Sequence, residues 1–182
     1  MTAGVISAPT APKQSATHTH RGCAHQSAYR LDNRDMMKIE TCTLSDLFND
    51  PRYEEVCQHY RQEAGHLDLK GIVDMGKYSF LASNGLLLCA RAVSEGQLVG
   101  IMAIVMCPSL HNSKDVANVD TLYLEPEHRG HGLQFLRHAI KMAREFGAAG
   151  IRFSAPAGSR TEQLFDRLFT RSDVTYYKSL ED

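Results

Sequence analysis

Between Leu122 and Leu133 the chain reads Leu-Tyr-Leu-Glu-Pro-Glu-His-Arg-Gly-His-Gly-Leu: an apolar strand end, a tight turn holding Gly130 and Gly132, and the opening of a long helix. No other stretch restricts the fold as much. Two glycines two residues apart let backbone N–H groups converge on a ligand without side-chain obstruction. The helix that starts there directs the positive end of its dipole at the same point. Together these features make an anion site, whose natural ligand is a phosphate or pyrophosphate. A dinucleotide-binding fingerprint lacks its third glycine and its acidic residue here, and a nucleotide P-loop lacks Gly-Lys-Ser/Thr.

Around this turn the elements fall into a regular order. Residues 37–42 alternate as a first strand, and Asp50-Pro51 supplies an N-cap and a proline for a helix through Ala64, with Tyr53, Val56 and Tyr60 on one face. Residues 66–85 show no clear period and read as a loop with room for a short helix. Two apolar runs, 86–93 and 98–107, joined by Ser94-Glu95-Gly96-Gln97, form a hairpin. A strand over 116–124 leads into the glycine turn, and the helix after it spans about 132–146. A short strand at 151–155, a helix opened by the capping box Ser159-Arg160-Thr161-Glu162, and a last strand at 174–180 complete the chain. This order predicts an α/β (α+β) fold with a mixed sheet.

At 182 residues, 43% apolar and 23% charged, the chain suits a single buried core. A net charge of -1 offers no field for nucleic acid or an anionic membrane, and no run of about 18 apolar residues exists to span one. Five dispersed cysteines without a Cys-x-x-Cys pair argue against a disulfide framework and for a cytoplasmic location. Residues 1–35 read as a disordered leader, rich in Ala, Ser, Thr, Pro and His, with 36–182 as the folded domain. From Met1 to Arg30 only Lys13, Arg21 and Arg30 are basic, which makes the leader a poor transit peptide. Its His18, His20, Cys23 and His25 lack a second ligand cluster, so no metal is expected.

With these residues in hand, the chain resembles the GNAT N-acetyltransferase superfamily over roughly residues 37–180. Arg129-Gly130-His131-Gly132-Leu133 matches the first five positions of that family's phosphate turn, and Leu122-Tyr123-Leu124-Glu125-Pro126 its preceding strand end. The resemblance implies a mostly antiparallel twisted sheet flanked by helices, and acetyl-coenzyme A as the acyl donor. Amides of Arg129, Gly130, His131, Gly132, Leu133 and Gln134 are expected to hold the pyrophosphate. The backbone of Leu122, Tyr123 and Leu124 pairs with the pantetheine arm, in the gap where this strand and the next diverge.

The implied reaction transfers acetyl directly to a primary amine of a small molecule or protein, in a ternary complex without a covalent enzyme intermediate. Asp120 occupies the place of a glutamate frequent in this strand and is the expected base, on the same face as Leu122 and Leu124. Three positions depart from the family pattern: Gln134 replaces a small residue, Phe165 replaces the tyrosine that often acts as general acid, and Gly158 replaces an asparagine. Tyr177 is the candidate acid in its place, and His111 a loop candidate for meeting the acceptor. A catalytically weak GNAT-like binding module is the alternative these departures raise. Pairing of final strands between two copies, giving a homodimer, is common among similar proteins.

Overall fold

The computed structural model describes residues 37–63, 73–109, 113–176 and 178. The leader, Ala64, His111, Tyr177 and residues 179 and 180 of the C-terminal strand predicted at 174–180 lie outside them. Within the described residues, five strands and five α-helices follow in the order β1 (Lys38–Cys42), α1 (Leu44–Phe48), α2 (Tyr53–Glu63), α3 (Met75–Ser83), β2 (Leu87–Ser94), β3 (Gln97–Pro108), β4 (Asp115–Leu124), α4 (Gly132–Glu145), β5 (Gly150–Arg152) and α5 (Arg160–Leu168). A 3₁₀ turn, Pro126–His131, joins β4 to α4.

The strands lie side by side in chain order. Every pair is antiparallel except β4 and β5, which run parallel, so the sheet is mixed as expected. Glu95 and Gly96 turn β2 into β3 with φ of 50° and 77°, the left-handed pair a two-residue hairpin needs. β3 is buried almost throughout because both of its faces are covered. On one side, Met102, Ile104, Ala117, Val119 and Leu124 pack with Phe135, Ala139, Met142 and Ala143 of α4. On the other, Leu98, Ile101 and Tyr123 pack with Leu47 of α1 and Val56 and Cys57 of α2.

Two features of β4 prepare the site. The β3–β4 ladder pairs Ala103 with Thr121 but Ile104 with Val119, so Asp120 is the extra residue of a bulge. The pairing with β5 involves only Val116, Ala117 and Asn118. Among the described residues, 119–124 therefore have no partner strand on that side, and the two strands diverge there.

Two elements add to the expected order and one expectation is corrected. Thr43 caps α1 through a capping box with Asp46, a helix for which no expectation was set. Asp74 caps α3, the short helix for which the aperiodic stretch 66–85 left room. Residues 171–176 form no strand, and Val174 and Tyr176 are 63% and 91% exposed.

Candidate active site

The glycine turn is open. A Cβ at Gly130 or Gly132 would meet no atom within 4 Å, and neither residue has a positive φ. Neither crowding nor backbone conformation therefore demands glycine at these positions. Gly100 differs: a Cβ there would lie 2.7 Å from Leu124 Cδ1 and 2.8 Å from the Tyr123 carbonyl oxygen. No side chain caps the 3₁₀ turn or α4. The Gly132 amide is already donated to the Arg129 carbonyl, closing the turn. Those of Leu133 and Gln134, in the first turn of α4, have no intrahelical partner four residues back. The helix start thus keeps its positive end, room for an anion, and an exposed Leu133 beside it.

Arg129 is held by Glu63 at the end of α2. Its Nη2 donates to Oε1 at 2.6 Å and also to Oε2, while its Nε donates to the Leu124 carbonyl at 3.3 Å. Tyr123 donates its hydroxyl to the same Glu63 at 3.3 Å. Glu127, a neighbour in sequence, is not the partner of Arg129. Leu122 and Leu124 pack toward α4, whereas the Tyr123 ring packs on the opposite face, 5.8 Å from Tyr60.

One turn back along α2, His59 Nδ1 meets Glu125 Oε1 at 3.0 Å, and Arg52 Nη2 lies 3.8 Å from the same oxygen. Glu125 is buried, directly after β4. Its bond to His59 pushes that imidazole above its ordinary value. Arg52, Glu55, His59 and Glu63 form a stripe at spacings of three and four along α2, a helical period readable from the sequence though not used there.

Asp120 does not share the face of Leu122 and Leu124. The bulge shifts the alternation, and its Oδ2 accepts from Tyr78 of α3 and, at 3.1 Å, from Thr121 Oγ1, on the side of α2 and α3. Tyr78 Oη also lies 3.4 Å from Thr121 Oγ1. Burial, then the bond to Asp120, pushes the Tyr78 phenol far up, so it stays protonated. Burial raises the Tyr60 phenol too, with the charge of Asp120 adding to it. Tyr78 is the functional candidate that the sequence reading missed. Phe165, where a tyrosine was looked for, packs between Phe153 and Phe169 at 5.5 and 5.6 Å. It has no proton to give.

Burial raises the thiols of Cys42 to about 12 and Cys89 to about 11, and raises Cys57 as well. Protonated at neutral pH, these three are poor nucleophiles. Among the described residues, no group of three or more His, Cys, Asp or Glu is arranged to hold a metal, and no helix is long and apolar enough to cross a membrane.

Comparison with known proteins agrees with this architecture. A ribosomal-protein-alanine N-acetyltransferase from Brucella melitensis biovar Abortus 2308 superposes with a TM-score of 0.59 at 18% identity, covering 79% of this chain and 98% of its own. An aminoglycoside acetyltransferase from an uncultured soil metagenomic sample, in complex with sisomicin, gives 0.63 at 17%, covering 80% and 97%. Glucosamine-6-phosphate N-acetyltransferase from Arabidopsis thaliana gives 0.60 at 11%, covering 80% and 99%. No curated protein matches the chain. The sequence model of the Acetyltransferase (GNAT) family matches residues 34–165, well over half of the chain. The sheet order, the turn and that match lead to one conclusion: the chain belongs to the GNAT acetyltransferase family.

Proposed function

We propose that this acetyltransferase moves an acetyl group from acetyl-coenzyme A directly to a primary amine in a ternary complex. The observation that carries the reading is the open, uncapped start of α4 beside the unpaired side of β4. The residues present fit the donor. Amides at the start of α4, those of Leu133 and Gln134 foremost, would receive its diphosphate, and the free backbone of residues 119–124 would receive its amide-bearing arm as a strand edge receives a peptide. Bound there, acetyl-coenzyme A supplies an activated acyl carbon. The chain supplies orientation, backbone donors and a place for a proton.

That place is Asp120. An amine with a pKa near 10 is protonated at neutral pH and must lose a proton before it can attack. The carboxylate in the β4 bulge is exposed and next to the divergence of the strands. Direct attack, with no acyl-enzyme, agrees with three of the described thiols, those of Cys42, Cys57 and Cys89, being held protonated. An aminoglycoside, a ribosomal-protein alanine and glucosamine-6-phosphate, named for three similar proteins, have an amine in common and little else. The acceptor class proposed is therefore an amine on a small molecule or a protein.

Isothermal titration tests the donor site. The unsubstituted protein should bind acetyl-coenzyme A, and Gly130→Glu/Gly132→Glu should bind it at least ~10-fold more weakly, because two carboxylates then occupy the anion site. Equal affinities would overturn the reading. Binding without thiol release from any amine in a broad panel would leave the catalytically weak module instead.

A further inference from the structure

Asp120 is engaged on one oxygen only. Both recorded donors, Tyr78 Oη and Thr121 Oγ1, reach Oδ2, and among the described residues no hydrogen bond or cation is recorded at Oδ1. Each hydroxyl has a single proton to donate. Once both protons are spent on Oδ2, Oδ1 presents lone pairs alone. An acceptor oxygen matches a group made only of donors, which is the chemistry of a primary ammonium.

Three side chains face the carboxylate. Thr121 comes from its own strand, Tyr78 from α3, and Tyr60 from α2 through the charge of Asp120 acting on its phenol. Tyr78 is the one that crosses between elements. α3 packs beside α1 and β2, so its tyrosine bridges a separate helix to the β4 bulge. Removing that hydroxyl frees the carboxylate to rotate away from the divergence of the strands, at a residue that its own strand leaves unpaired.

We propose that Tyr78 is the positioning residue of the acceptor site: by donating to Oδ2 it fixes the Asp120 carboxylate so that Oδ1 receives the proton of an incoming primary ammonium. The inference rests on the reading of Asp120 as the base. The step moves one proton. The N–H bond breaks, an O–H bond forms on Oδ1, the nitrogen keeps its electron pair for attack on the acetyl carbon, and the proton leaves Asp120 to water. Tyr78 itself gives up nothing, since its phenol is held protonated.

Amine-dependent thiol release from acetyl-coenzyme A, followed across pH for Tyr78→Phe, Asp120→Asn and the double variant, tests this. Tyr78→Phe should lower kcat by ~10-fold or more at neutral pH and leave KM for acetyl-coenzyme A unchanged. The double variant should be no slower than Asp120→Asn within about twofold, because both act through one carboxylate. Both losses should shrink as pH rises toward the pKa of the amine, since a neutral amine needs no base. Thr121→Val, a smaller change at the same oxygen, should give a weaker loss in the same sense, and serves if Tyr78→Phe folds poorly by thermal melting. Multiplicative losses, a loss constant with pH, or wild-type kcat in Tyr78→Phe would overturn the role of Tyr78 while leaving acetyl transfer intact. No turnover by the unsubstituted protein with any amine would overturn the acetyl-transfer reading, and this inference with it.

Discussion

Arg129 shows how much a single side chain can belong to two places. It lies in the turn expected to receive a diphosphate, yet its guanidinium is clasped by both oxygens of Glu63. An arriving anion and Glu63 compete for the same charge. Glu63→Gln should therefore raise affinity for acetyl-coenzyme A, by up to about fivefold if the exposed pair contributes about 1 kcal/mol or less. Titration calorimetry checks this, and unchanged or weaker binding would show that Arg129 makes no use of its release. Glycines and charge in the turn were legible in the sequence, whereas the partner of Arg129 lies 66 residues away and was not. Asp120 was also legible as a candidate. Its face was not, because strand alternation assigns orientation only while the ladder is unbroken, and a bulge leaves no mark of its own in composition.

The elements that sequence periodicity describes well are those that bury a stripe. α4 came within one residue of expectation because Phe135, Leu136, Ala139, Met142 and Ala143 repeat at helical spacing and all are buried. α3 buries no residue, so it had no stripe to read, and Tyr78 was missed with it. α2 carries a second, polar stripe that fastens the helix to the end of β4 through His59, Arg52 and Glu125, with Glu55 bound to Arg52. The His59 bond gives a pH dependence whose sign follows from the direction of the shift. A histidine raised above its unfolded value near 6.5 contributes stability that is fully present below that pH and is lost as pH rises through the higher folded value. The melting temperature of His59→Gln should fall furthest below the parent at pH values under the ordinary imidazole range and approach it as pH rises past the raised folded value. A gap that is constant over that range would mean the imidazole acts by packing alone.

At the scale of the molecule, the sheet has a strong middle and a weak end. β3 is flanked along its length and covered on both faces, but β5 holds to β4 through only three residue pairs, and α5 beyond it buries no residue. The order of elements foretold a mixed sheet because the crossover from β4 through α4 is long enough to return a parallel strand, whereas the tight turn between β2 and β3 forces an antiparallel pair. How little of that strand would pair was not foretold, since the strand expected at 151–155 is longer than the ladder formed by Gly150–Arg152. Opening is cheapest where few contacts must break, so amide exchange in β5 and α5 should proceed through local unzipping, well ahead of β3. A molecule that wedges itself along the gap would suture this margin to the rest. Deuterium uptake there should then slow on addition of acetyl-coenzyme A, making the loosest edge of the protein a built-in reporter of occupancy.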